Sequence, residues 1–207
     1  MAEEDSEAIG LTKGRLEALS DGIFAFAMTL LVLGLSIPEK TTLVQSDAYA
    51  LQLLFSLRPD FFHYVLAFLI LGAFWIGHHI ELNSVRGIDR TFVWINLLTL
   101  LFVALLPFST SFSGDLSDVP VGAMVFEANL LSIGMGMFCQ WQYATKDHRL
   151  TSPSLKPAYI RKVSTRTLIV PGVSVLCILV ALTGSTWSTA LYMTLPFVGY
   201  AVGRRET

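Results

Sequence analysis

Six stretches of this chain are apolar over close to the roughly 20 residues that a helix needs to cross a hydrocarbon core. They fall at about 19–37, 61–80, 91–109, 119–140, 166–184 and 187–203. Inside a bilayer the backbone must bond to itself, so such segments resolve into helices. The expected fold class is an all-α membrane protein of six transmembrane helices, one domain over residues 1–207 with no separate soluble domain. The third span is expected to end near Pro107. The fifth and sixth carry Pro171 and Pro196 and are joined tightly by Gly184-Ser185.

Composition agrees with that class: 53% of residues are hydrophobic and 14% are charged, which is too apolar for an ordinary soluble domain. A net charge of −2 argues against nucleic acid as a partner. The first eighteen residues are acidic and lack an apolar region, so the first span is expected to act as its own targeting signal. Cys139 and Cys177 lie in or beside apolar segments and read as packing residues rather than a disulfide framework.

The basic residues orient the spans. With six spans, twelve of the fourteen Lys and Arg fall on the side of the N-terminus, the 81–90 turn, the 141–165 loop and the C-terminus, leaving only Lys40 and Arg58 opposite. The positive-inside rule then makes both termini cytoplasmic, in a multi-pass protein of the cell (plasma) membrane. Between Glu39 and Asp60, Leu51, Leu54, Phe55 and Leu57 suit a short helix lying on the outer surface. The 141–165 loop carries Lys146, Arg149, Lys156, Arg161 and Lys162 between aromatic residues. That pattern fits contact with membrane lipids bearing anionic headgroups, and fits a solvated basic loop equally well.

The polar residues inside the spans fall into groups by depth. Arg15, Ser20 and Asp21 stand at the mouth of the first apolar run, where charged groups mark a functional site or a bonding network. At about 100° per residue, Gly22, Phe26, Thr29, Leu30, Leu33 and Ile37 share one stripe of that helix, while Ser20 and Asp21 point away from it. From the pattern alone this stripe is either the lining of a pathway or a helix–helix seam. His78 and His79 close the second span and Asn96 lies just over one turn into the third, so all three reach the depth of Asp21. A cluster of Asp21, a histidine and Asn96, joined by Ser20 and Trp75, can satisfy itself by hydrogen bonding. Glu127 and Asn129 sit mid-span in the fourth helix, where Glu127 can relay a proton or bond to a neighbouring helix.

Adjacent histidines point about 100° apart, whereas chelation uses i, i+3 or i, i+4 spacing. Neither His-x-x-x-His nor Cys-x-x-Cys occurs. No metal site, no cofactor and no enzymatic activity are expected.

The segment Arg15-x-x-x-Leu19-Ser20-Asp21 resembles the Arg-x-x-x-Phe-Ser-Asp signature of the transmembrane protein 175 family of potassium channels. Trp75, His78-His79, Asp89, Asn96 and Pro107-Phe108 match, in order, the second and third spans of its bacterial members. The agreement is best over about residues 13–110. The resemblance implies a prokaryotic single-repeat subunit that forms a homotetramer, with the first span of each copy lining a central pore. It places the constriction at Phe26, a threonine ring at Thr29 and further apolar rings at Leu30 and Leu33, on the stripe that begins at Gly22. Arg15, Ser20, Asp21, Trp75, His78, His79 and Asn96 would form a structural network at the inner end. Two residues depart from the family pattern: Leu19 replaces a phenylalanine, and Phe26 stands where isoleucine or leucine is usual. The expected function is a potassium-permeable channel that passes potassium in modest preference to sodium, with potassium present only in transit. The alternative is a proton-coupled membrane transporter using Asp21, Glu127 and the paired histidines.

Overall fold

The structure is a computed structural model and describes residues 11–36 and 46–195. Helix α1 spans Lys13–Leu30, with the Arg15 N–H donating to the Thr12 hydroxyl, and tightens into a 3₁₀ turn at Leu31–Gly34. Helix α2 (Asp47–Ser56) is capped by Ser46, whose Oγ accepts from the Tyr49 N–H at 3.2 Å. Helix α3 (Arg58–Ser84) starts with Pro59 in its first turn, where a missing N–H costs nothing. Helix α4 (Arg90–Asp115) is capped by Asp89, and α5 (Pro120–Thr145) again opens on a proline. Helices α6 (Pro157–Thr167) and α7 (Ile169–Leu182) follow end to end, and Ser188–Thr194 forms a short 3₁₀ helix.

Among the described residues, five helical stretches are long and apolar enough to cross a membrane: Lys13–Gly34, Arg58–Ser84, Arg90–Asp115, Pro120–His148 and Pro157–Leu182. They correspond to the first five expected spans. The expected sixth, 187–203, begins as the 3₁₀ helix, and its remainder from residue 196 lies outside the described residues, as do both chain ends.

Several boundaries differ from expectation for identifiable reasons. Helix α4 does not stop at Pro107 but runs on to Asp115. A proline removes only one backbone bond, here to the Val103 carbonyl, and the helix bonding resumes beyond it, where the Ser109 and Thr110 hydroxyls both donate to the Leu106 carbonyl. Pro171 has the opposite effect. Its ring collides with a helical carbonyl four residues earlier, at Thr167, and the α6–α7 break falls at Leu168, where ψ opens to −7°. Much of the expected 141–165 loop is helical, because α5 extends to Thr145 and α6 begins at Pro157. The chain between them turns at Asp147 and His148, both with φ of 53°. It then pairs Thr151 with Val85 in an isolated antiparallel bridge.

Helices α4 and α5 form the central pair, with α1 and α3 packed on the α4 side and α6 and α7 on the α5 side. Small residues let the helices approach closely. A Cβ on Gly134 would stand 2.6 Å from Cγ of Pro171, so α7 rests directly on the α5 backbone there. The main core joins Phe24, Leu71, Phe74, Val103, Leu106, Phe126 and Leu130. A second cluster, comprising Leu16, Leu82, Val85, Phe92 and Leu150, closes the end of the bundle where α1 and α4 begin and α3 and α5 finish. Arg15, Arg86, Arg90, Lys146 and Arg149 also lie at that end.

Candidate functional site

Helix α1 has two unlike faces. Leu16, Ser20, Phe24, Ala27 and Leu31 recur every three or four residues and are buried against α3 and α4. Gly22, Phe26, Thr29, Leu30 and Leu33 are all exposed, Phe26 to 69% and Leu33 to 71%. Over the described residues the stripe picked out by periodicity is therefore not a seam within this chain; its last member, Ile37, lies outside them. Thr29 Oγ1 donates to the Phe26 carbonyl at 2.8 Å. Its only proton is thereby committed to its own helix, which leaves the oxygen lone pairs facing outward.

The polar groups near the start of α1 form two separate arrangements rather than one cluster. In the first, His78 Nε2 donates to Asn96 Oδ1 at 2.7 Å and Asn96 Nδ2 donates to Ser20 Oγ at 3.1 Å. Ser20 Oγ in turn donates to the Leu16 carbonyl at 2.9 Å. All three side chains are buried, and the His78 ring packs against Phe24 at a centroid distance of 5.5 Å. Each donor meets an acceptor, so the chain of bonds runs from α3 through α4 to α1 and ends on backbone.

In the second arrangement Trp75 Nε1 donates to Asp21 Oδ1 at 2.8 Å, on the exposed side of α1 and α3. His79 lies over the Trp75 indole, with centroids 6.1 Å apart, and takes no part in the buried chain. Arg15 is exposed on the first turn of α1, apart from both arrangements. Asp89 belongs to neither. It caps α4 through the Phe92 N–H at 2.8 Å and accepts the Tyr143 hydroxyl at 2.6 Å.

Glu127 is buried elsewhere, in the half of the bundle away from His78. Its Oε1 accepts the Ser188 hydroxyl at 2.5 Å, while Asn129 Nδ2 donates to Ser109 Oγ at 3.1 Å. Tyr192 continues this region by donating to Ser174 Oγ at 2.8 Å. Sequence reasoning missed Glu81, which is buried near the end of α3 and accepts the Thr167 hydroxyl at 3.0 Å. Apolarity fades after Ile80, so Glu81 was expected in a turn. A helix that continues four residues further carries it inside.

The family model described as endosomal/lysosomal potassium channel TMEM175 matches residues 15–107, which contain nearly all of α1, all of α3 and every member of both arrangements. A potassium channel of Chamaesiphon minutus is 33% identical over 140 residues, covering 66% of this chain and 68% of the relative. The chain belongs to the TMEM175 family. A second relative, a potassium channel of Streptomyces collinus, is 29% identical over 157 residues, covering 72% of this chain and 74% of its own length. The crystal structure of a lysosomal potassium-selective channel TMEM175 homolog from Chamaesiphon minutus superposes with a TM-score of 0.74 at 24% identity. It spans 94% of this chain and 98% of that one, so the TMEM175 fold extends well beyond the residues the family model matches. The chain is a multi-pass membrane protein.

Proposed function

We propose that this chain is one subunit of a homotetrameric cation channel that is permeable to potassium and modestly selective for it over sodium. Four copies of α1 surround a central pore. Phe26 forms its narrowest apolar ring, with Thr29, Leu30 and Leu33 beyond it and Gly22 toward the inner mouth. In this reading residues 1–207 form one six-helix domain in the cell membrane, with both termini cytoplasmic.

The observation that carries the proposal is the contrast between the two faces of α1. One is sealed against the bundle, while the other leaves Phe26 and Leu33 about 70% exposed beside an outward-facing hydroxyl oxygen. A ring of such side chains excludes water, so an ion sheds part of its hydration to pass, and sodium, which holds water more tightly, faces the larger barrier. The Thr29 oxygens replace some of the lost ligands. The Ser20–Asn96–His78 chain and the Asp21–Trp75 bond set the position of α1, with Arg15 and His79 at the surrounding surface.

The proton-coupled transporter reading fits less well. Asp21 and Glu127 belong to different halves of the bundle: Asp21 sits beside Trp75, and Glu127 neighbours Phe126, which His63 meets edge-on. Trp75 and His63 are twelve residues apart on α3, a separation of about 18 Å along the helix. The deciding experiment is flux through purified protein in liposomes, comparing potassium, sodium and protons. Potassium flux above sodium flux is the expected result. Pure proton-coupled solute uptake, or electrical silence with a monomeric subunit in detergent, overturns the proposal.

A further inference from the structure

A cleft of about 320 Å³ opens between α3, α5 and the α6–α7 break. Its walls are apolar, with Gly77 and Ile80 of α3, Met137 of α5 and Val170 of α7, and Arg166 is the one charged residue among those that line it. Gly77 lets the Met137 methyl lie against α3, since a Cβ there would stand 3.3 Å from Met137 Cε. Arg166 is exposed and has no carboxylate partner among the described residues. The nearby acid, Glu81, is buried, bonded to Thr167 and absent from the cleft wall.

Helix α6, which carries Arg166, is amphipathic. It buries Val163 and exposes Arg161, and is fixed to α5 by Trp141 Nε1 donating to the Ile160 carbonyl at 3.1 Å. The cleft therefore begins at the basic end of the bundle and runs along apolar helix surface. An apolar slot whose one charged lining residue is an exposed, unpaired guanidinium matches a molecule with a hydrocarbon tail and an anionic head.

We propose that this cleft binds one acyl chain of an anionic phospholipid drawn from the leaflet on the basic side, with the Arg166 guanidinium on the lipid phosphate. The inference rests on the membrane reading above but not on ion conduction. It is tested by mass spectrometry of the intact protein released from detergent after exposure to phosphatidylglycerol and phosphatidylcholine in equal amounts. Wild type is expected to retain phosphatidylglycerol preferentially. Arg166→Gln lowers that retention about tenfold, the scale of one hydrogen bond to a charged group. Ile80→Trp, which fills the slot, removes both lipids, and Arg161→Gln, on α6 but outside the cleft, changes nothing. Equal retention by Arg166→Gln and wild type overturns the proposal. So does an equal loss in Arg161→Gln, which would mean a diffuse basic surface, or a changed subunit count in Ile80→Trp, which would mean a second copy covers the cleft. None of these readouts involves ion flux, so failure here leaves the channel proposal standing, and failure of conduction leaves this one standing.

Discussion

His78 Nε2 lies 2.7 Å from Asn96 Oδ1, and the same amide reaches Ser20 with its nitrogen, so one buried asparagine ties three helices together. Replacing it with Ala leaves a buried imidazole N–H without its acceptor and Ser20 without its donor. Interhelical hydrogen bonds within membranes are worth about 0.6–1.7 kcal/mol each. Asn96→Ala is therefore expected to destabilise the folded subunit by about 1–3 kcal/mol. Reversible unfolding in mixed detergent measures this.

The Trp75–Asp21 bond needs an acceptor oxygen on α1 rather than a charge. Asp21→Asn keeps that oxygen, and is expected to leave both the melting temperature and potassium flux close to wild type. Asp21→Leu removes it and should lower both. Equal losses in the two variants, measured in one liposome preparation, would show that the charge itself matters.

At the proposed constriction, Phe26→Ala widens the ring and lets hydrated ions through. Single-channel conductance is expected to rise and the potassium-to-sodium permeability ratio to fall toward one. Phe26 is largely exposed in the single chain, so the substitution should leave subunit stability nearly unchanged. Currents unaltered in both respects would remove Phe26 from the narrow part.

Thr29→Val keeps the shape of the side chain and deletes the oxygen that faces away from the bundle. A lost hydrogen-bond-like contact is worth about 1 kcal/mol. The expected result is a several-fold fall in potassium over sodium selectivity with little change in conductance, read from reversal potentials under bi-ionic conditions.

Packing between α5 and α7 gives a prediction independent of conduction. Gly134→Ala sets a methyl group against the Pro171 ring, which has no rotamer with which to retreat. Overpacking of this kind costs about 1–3 kcal/mol. A drop in thermal stability is expected, and Gly172→Ala, where a Cβ meets nothing within 4 Å, serves as the control.

The parts of the fold legible in the sequence are those where polarity contrasts with an apolar background. Ser20, His78 and Asn96 stood out because they fall at the polar margins of long apolar runs, and a common depth placed them together. The α1 stripe could be read because helical periodicity depends on one segment alone. Which neighbour each polar group would choose could not be read, because Ser20 and Asp21 are adjacent in sequence yet face α4 and α3 respectively. Hydropathy also misplaces elements whose stability is tertiary. Helix α6 looks like a loop because Arg161, Lys162 and Arg166 mask a packing face built on Val163. Pro107 looks like a helix stop, although it removes a single backbone bond and the helix runs on to Asp115.

The division of labour between Ser20 and Asp21 has a mechanical consequence. Successive residues point about 100° apart around a helix, and here each is tethered to a different neighbour. Spinning α1 about its long axis would break both tethers at once, so its azimuth is locked at the basic end. In the proposed channel, opening and closing would then come from tilt about that fixed foot, or from rotamer changes of the exposed side chains Phe26 and Leu33.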